Sequence, residues 1–114
     1  MGLRQEKFTR QLQKDLGEIF LQHKEWVAGQ FVTISGVTIS PDLSSARVYL
    51  SLFNTPQKGK VLEAIELNAR EIRMEIAKKV KNQVKKVPEL RFYEDESQEY
   101  AAKINQLLES IKKS

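Results

Sequence analysis

The sequence predicts an α+β domain whose elements run helix, strand, strand, helix, helix, strand, helix. Three observations predict it. Residues 46–52 alternate between apolar and polar side chains, as a strand with one buried face does. Residues 31–39 are rich in β-branched side chains and lie one short turn away, so the two runs form an antiparallel hairpin. Three further stretches repeat apolar residues at three- and four-residue spacing, the period of an amphipathic helix.

The first helix carries Phe8, Leu12, Leu16, Ile19 and Phe20 on one stripe. Trp26 and Val27 follow near its end, and Ala28-Gly29 breaks it. In the run 31–39, Val32 and Ile34 share one parity and Val37 and Ile39 the other. One face cannot bury both sets without a register change, so a β-bulge is expected at Gly36. A β-branched residue there is then expected to strain the hairpin. The cluster Ser40, Pro41, Asp42, Ser44 and Ser45 supplies turn chemistry. The second strand points Ala46, Val48, Leu50 and Leu52 inward and Arg47, Tyr49 and Ser51 outward.

After a loop at Asn54, Thr55 is expected to cap the next helix and Pro56 to open it. A stripe of Val61, Ile65, Ala69, Ile72, Ile76, Val80, Val84 and Val87 follows. At about 27 residues it is long for one helix in a small domain, and Asn68 or the Asn82-Gln83 pair are candidate breaks. Pro88 forces Val87 out of helical geometry. Residues 90–93 then read as a short third strand. Asp95 with Gln98 resembles a capping box. Tyr100, Ala101, Ile104, Leu107, Leu108 and Ile111 mark a last amphipathic helix, with fraying expected at Lys112, Lys113 and Ser114.

The chain has 114 residues, enough for one domain with a modest core, and 1–114 is read as a single domain. It is 40% hydrophobic and 30% charged, a globular composition. It has no cysteine, which excludes a disulfide scaffold and thiolate metal sites. The amphipathic start has no signal-peptide core, and no apolar run matches a membrane span. A cytoplasmic protein without membrane attachment is expected.

The catalytic search is negative. A single histidine, His23, cannot build a usual zinc site and fits a helix C-terminus. There is no phosphate-binding glycine loop and no nucleophile motif. Glu94, Asp95 and Glu96 could hold a divalent cation, but acidic residues also suit a helix N-terminus. No enzyme activity, cofactor, metal or small-molecule substrate is expected.

Charge distribution is more telling. Net charge is +4, yet the segment from Arg70 to Arg91 alone carries eight basic and three acidic residues, a net of +5. At about 100° per residue, Arg70, Lys78, Lys81 and Lys85 fall within a wedge of roughly 80° opposite the apolar stripe. Lys79 and Lys86 flank it beside Glu71 and Glu75. One face can pack on a sheet while the other meets phosphates. An ordinary solvated face, with Glu75 and Lys79 paired four apart, accounts for the charge equally well. No aromatics interleave with this segment, which argues for backbone and shape contacts rather than base stacking. The candidate RNA contacts are Arg70, Arg73, Lys78, Lys79, Lys81, Lys85 and Lys86.

Residues 37–51, VTISPDLSSARVYLS, resemble the strand-turn-strand signature of the ribosome-binding factor A family. Residues 87–92, VPELRF, followed by Asp95, Ser97, Ile104, Leu107 and Leu108, resemble its C-terminal signature. The first helix fits as well, so the resemblance spans nearly the whole chain. It implies a type II K-homology fold, a three-stranded sheet backed by helices. It implies binding, as a monomer, to the small (30S) ribosomal subunit and its 16S ribosomal RNA in the bacterial cytoplasm. The binding would fall in late maturation and rRNA processing, with a role in growth at low temperature. The family commonly replaces the K-homology Gly-x-x-Gly loop with an Ala-x-Gly kink; the matching positions are Asn68, Ala69 and Arg70. A reading from another class is a protein-interaction adaptor that docks through the helix at 100–111.

Overall fold

The alternation at 46–52 becomes the middle strand of a sheet because its apolar face is flanked on both sides. The computed structural model describes residues 3–52, 55–84 and 86–113. Its elements are α1 (Leu3–Gln22), a 3₁₀ turn (Lys24–Val27), β1 (Thr33–Ile39), β2 (Ser45–Ser51), α2 (Lys58–Leu67), α3 (Ala69–Val80), β3 (Glu89–Glu94) and α4 (Ser97–Lys113). The order is the one predicted. The sheet runs β1-β2-β3, antiparallel between β1 and β2 and parallel between β2 and β3. A parallel pair needs a crossover, and α2 with α3 supplies it.

Helices back one face of the sheet. Leu12, Leu16 and Ile19 of α1, Val48 and Leu50 of β2, and Ile65, Ile72 and Ile76 of α2 and α3 are fully buried there. The opposite face carries Thr33, Thr38, Arg47, Arg91 and Tyr93, all exposed. This is an α+β K-homology-like architecture.

The parity conflict in β1 is resolved by a bulge. Ile34 pairs with Leu50 and Gly36 with Tyr49, so Ser35 is the extra residue. Val32, Ile34, Val37 and Ile39 are then all buried. The reason given for the glycine does not hold. Among the described glycines only Gly29 has a positive φ, and a Cβ on Gly36 would meet nothing within 4 Å. The strand also begins at Thr33 rather than Phe31, which is exposed.

The helix after β2 starts later than Thr55 and Pro56 suggest. Gln57 adopts a left-handed conformation (φ 58°), which no helix continues through, and its carbonyl accepts the first helical bonds from Lys60 and Val61. Asn54 lies outside the described residues. The long stripe is broken once, at Asn68 (φ −108°, ψ 16°). The Ala64 carbonyl at the end of α2 accepts both the Asn68 backbone N–H at 3.0 Å and the Asn68 side-chain amide at 2.8 Å, so Asn68 closes the last turn twice. Its own carbonyl receives Ile72 N–H and opens α3. The Asn82-Gln83 pair follows the end of α3 rather than breaking it. Val84 and Val87 therefore leave the helix, yet both still pack against the core. Gln98's side chain lies outside the described residues; Asp95 accepts the N–H of Ser97 at 2.9 Å, two residues on rather than the three expected, and Glu96 supplies the first helical carbonyl, to Tyr100 N–H. Helix α4 continues through Lys113, beyond the expected fraying, and Ser114 lies outside the described residues.

Candidate nucleic-acid interface

Helix α3 buries Ile72, Ile76 and Val80 against the core, which turns Arg70, Met74 and Lys78 outward. Lys81 follows as the C-cap and keeps right-handed helical angles (φ −55°, ψ −27°), so it stays in phase with them. Arg70, Lys78 and Lys81 therefore share one exposed face, as the spacing predicts. Lys78 also reaches Glu75 at 3.1 Å, yet its side chain remains 69% exposed. Such a pair is weak and open to exchange with another anion.

The other candidates separate from this strip. Arg73 lies on the side facing β3, and its Nη2 donates to the Val87 carbonyl at 3.2 Å. Lys79 lies on the opposite edge and reaches Glu18 of α1 at 3.4 Å. This cross-helix pair replaces the expected Glu75–Lys79 contact. Lys86 is exposed in the loop beyond α3, and Lys85 lies outside the described residues.

Two recesses adjoin the strip. A shallow groove of about 380 Å³ runs between α3 and the approach to β3, lined by Arg70, Arg73, Met74, Ala77 and Val87. A larger recess of about 600 Å³ lies between the α3 end and the β1–β2 turn, with Lys81, Lys86 and Asp42 on its walls. The turn is held by Asp42, which accepts from the Ser40 and Ser44 hydroxyls at 2.7 Å each and from Ser44 N–H. Hydrogen bonds from the Ser44 hydroxyl, and then from Ser40, lower its pKa to about 2. Leu43 beside it is left-handed (φ 62°), and Gln5 of α1 ties the turn down through the Pro41 carbonyl.

The remaining chemical candidates are engaged elsewhere. Glu94 pairs with Lys58 at 3.0 Å and Asp95 with Ser97. His23 follows α1 directly and stacks on Trp26, with ring centroids 4.0 Å apart. Among the described residues no group of three or more metal-ligating side chains is placed to hold an ion. Among them, too, no helix is long and apolar enough to cross a membrane.

One association could not be read from the chain. Aromatics are absent from α3, but the open face of the sheet alternates arginine and tyrosine. Parallel pairing sets Arg47 opposite Arg91 and Tyr49 opposite Tyr93. Only the strand pairing brings these together; the outward parity of Arg47 and Tyr49 was the available signal.

A three-stranded mixed sheet, helices on one face and a one-residue break between α2 and α3 define a K-homology-like protein with a cationic helix face. The family model described as ribosome-binding factor A matches residues 4–108. A ribosome-binding factor A from Chlorobaculum tepidum is 38% identical over 98% of this chain and 93% of its own. A Thermotoga maritima structure solved by solution NMR aligns with TM-score 0.68 at 31% identity, covering 83% of this chain and 90% of that one. A homology model of the Thermus thermophilus ribosome-binding factor A, as fitted into a cryo-EM map of a 30S complex, aligns with TM-score 0.62 at 24% identity. That alignment covers 77% of this chain and 91% of the other. The chain belongs to the ribosome-binding factor A family. As a member it is a ribosome-binding factor and not an enzyme.

Proposed function

We propose that the chain binds the small (30S) ribosomal subunit and its 16S ribosomal RNA and assists late maturation and rRNA processing. It acts as a single domain over residues 1–114, as a cytoplasmic monomer, without a cofactor or small-molecule substrate. The observation that carries this reading is its family membership over nearly the full length, together with the shared fold of a relative placed in a 30S complex.

The exposed strip supports a backbone-contacting mode. Arg70, Lys78 and Lys81 present three cations on one helix face, and Lys86 adds a fourth from the loop. Cations meeting phosphates release condensed counterions, so affinity falls steeply with salt. Arg73 reaches the segment before β3 and Lys79 reaches α1, so both sit at the edges of the strip and flank the contact. Lys85 remains a candidate on sequence grounds.

Exposure along α4 favours the adaptor as a second reading. Tyr100, Leu107 and Leu108 are 69%, 60% and 51% exposed on its apolar stripe. Cosedimentation with purified small subunits across a salt series separates the two. A steep loss with salt supports RNA contact; retention at high salt supports apolar docking through α4.

A further inference from the structure

Gly36 occupies a strand interior, where glycine weakens pairing and packing. Nothing inside the protein demands it. Its φ is not in the left-handed region, and the space where a Cβ would stand is open to 4 Å. Its register position is informative. Gly36 stands opposite Tyr49, and Tyr49 stands opposite Tyr93. The two rings lie 5.7 Å apart at 29°. The glycine thus leaves an empty site on the open sheet face beside a tyrosine pair.

The next row on that face is Thr38, Arg47 and Arg91. Two arginines directly opposite each other repel, so the row is destabilising until an anion joins it. Arg91 has Glu89 at 3.6 Å; Arg47 has no ion-pair partner among the described residues. The other end of the face is anionic. Asp95 lies there, its carboxyl held below the usual range by Ser97 and then by Ser35 of the bulge.

We propose that the open face of the sheet binds single-stranded RNA. A base stacks on the Tyr49–Tyr93 pair in the space left by Gly36, and its phosphates lie over Arg47 and Arg91. Every base has a stacking face, so the platform tolerates sequence. Arginines at one end and Asp95 at the other fix where the strand lies on the face, because phosphate is favoured at the first and repelled at the second. Charge complementarity selects a polyanion, and the paired rings select unpaired bases over duplex. This site lies on the face away from α3, so it is distinct from the helix strip. It rests on the reading that the protein binds ribosomal RNA, and it adds a place for an unpaired segment of that RNA.

The test is an NMR titration of the full chain with pentaadenylate, with its abasic counterpart and with a ten-base-pair RNA duplex. Ring protons of Tyr49 and Tyr93 should move upfield with pentaadenylate alone. Tyr93→Leu and Arg47→Gln should each weaken binding by about tenfold. Gly36→Val should weaken it similarly while its urea midpoint does not fall. Equal binding of the abasic strand, or shifts confined to the groove at Arg70 and Val87, would overturn the platform. So would unshifted tyrosines in a protein that still cosediments with small subunits, a result that leaves the ribosomal reading standing. Absence of both binding events would overturn both.

Discussion

Gly36→Val separates two explanations of the same glycine. If the bulge strained its backbone or crowded its side, valine would cost about 1–3 kcal/mol. The structure removes both causes, since φ is ordinary and an added Cβ meets nothing within 4 Å. Valine also favours strands over glycine, on a scale spanning about 1 kcal/mol. The variant should therefore be between unchanged and about 1 kcal/mol more stable. Two deletions test the bulge itself. Removing Ser35 restores plain alternation through Ile34, Gly36 and Val37, and loses the exposed Ser35 hydroxyl's bonds to the Tyr49 carbonyl and to Asp95. That should cost about 0.5–1.5 kcal/mol. Removing Thr38 instead puts Val37 and Ile39 on opposite faces, and one of them leaves the core. That should cost about 2–4 kcal/mol, combining lost burial with the cavity behind it. Urea denaturation of the three variants, with constant slope, measures all three values. A loss of 1–3 kcal/mol in Gly36→Val, or equal costs for the two deletions, would refute this reasoning.

Two further predictions concern carboxylates. Asp15 is 4% exposed; Gln11 donates to one of its oxygens at 2.9 Å, and the other, Oδ2, has no partner among the described residues. Replacing it with leucine removes an unsatisfied buried group and adds apolar contact, so Asp15→Leu should stabilise the protein by about 1–3 kcal/mol. A lower melting temperature for that variant would show that Asp15 supports the α1 packing. Asp42 has a pKa of about 2, below the ordinary 3.8, because the folded turn bonds its ionised form. A depressed folded value gives stability that is complete above about pH 4 and is lost as pH falls through 2. Ser44→Ala should move the NMR-titrated pKa of Asp42 up toward 3.8; an unmoved value would contradict the assigned cause.

Local patterning carried much of the fold. The alternation of Ala46, Val48, Leu50 and Leu52 reports a buried face directly, and the parity conflict between Ile34 and Val37 reports the bulge. The start of α2 was not legible, because Thr55-Pro56 is good opening chemistry and only the left-handed Gln57 defers the helix. The break between α2 and α3 was one of two candidates. A single non-helical residue leaves Ile65 and Ile72 in phase, so periodicity hardly registers it. For the candidate site, the helical wheel placed Arg70, Lys78 and Lys81 correctly. It missed the bracing of Lys79 by Glu18, which depends on how α1 crosses α3. The arginine–tyrosine face was hidden because β2 and β3 lie far apart in the chain and only their parallel register aligns them.

The central claim is that the outward strip of α3 contacts ribosomal RNA. The most direct measurement is the salt dependence of small-subunit binding for wild type and for the triple variant Arg70→Gln, Lys78→Gln, Lys81→Gln. All three side chains point away from the core, so melting temperature should not change. A control triple at Lys7, Lys14 and Lys24 removes the same charge from exposed positions elsewhere. Each lost phosphate contact should reduce the log–log salt slope by roughly 0.7–0.9, so the α3 triple should be shallower by about 2–3. The control triple should change it far less. Equal losses from both triples would mean that net charge alone governs binding, and the strip on α3 would not be the site.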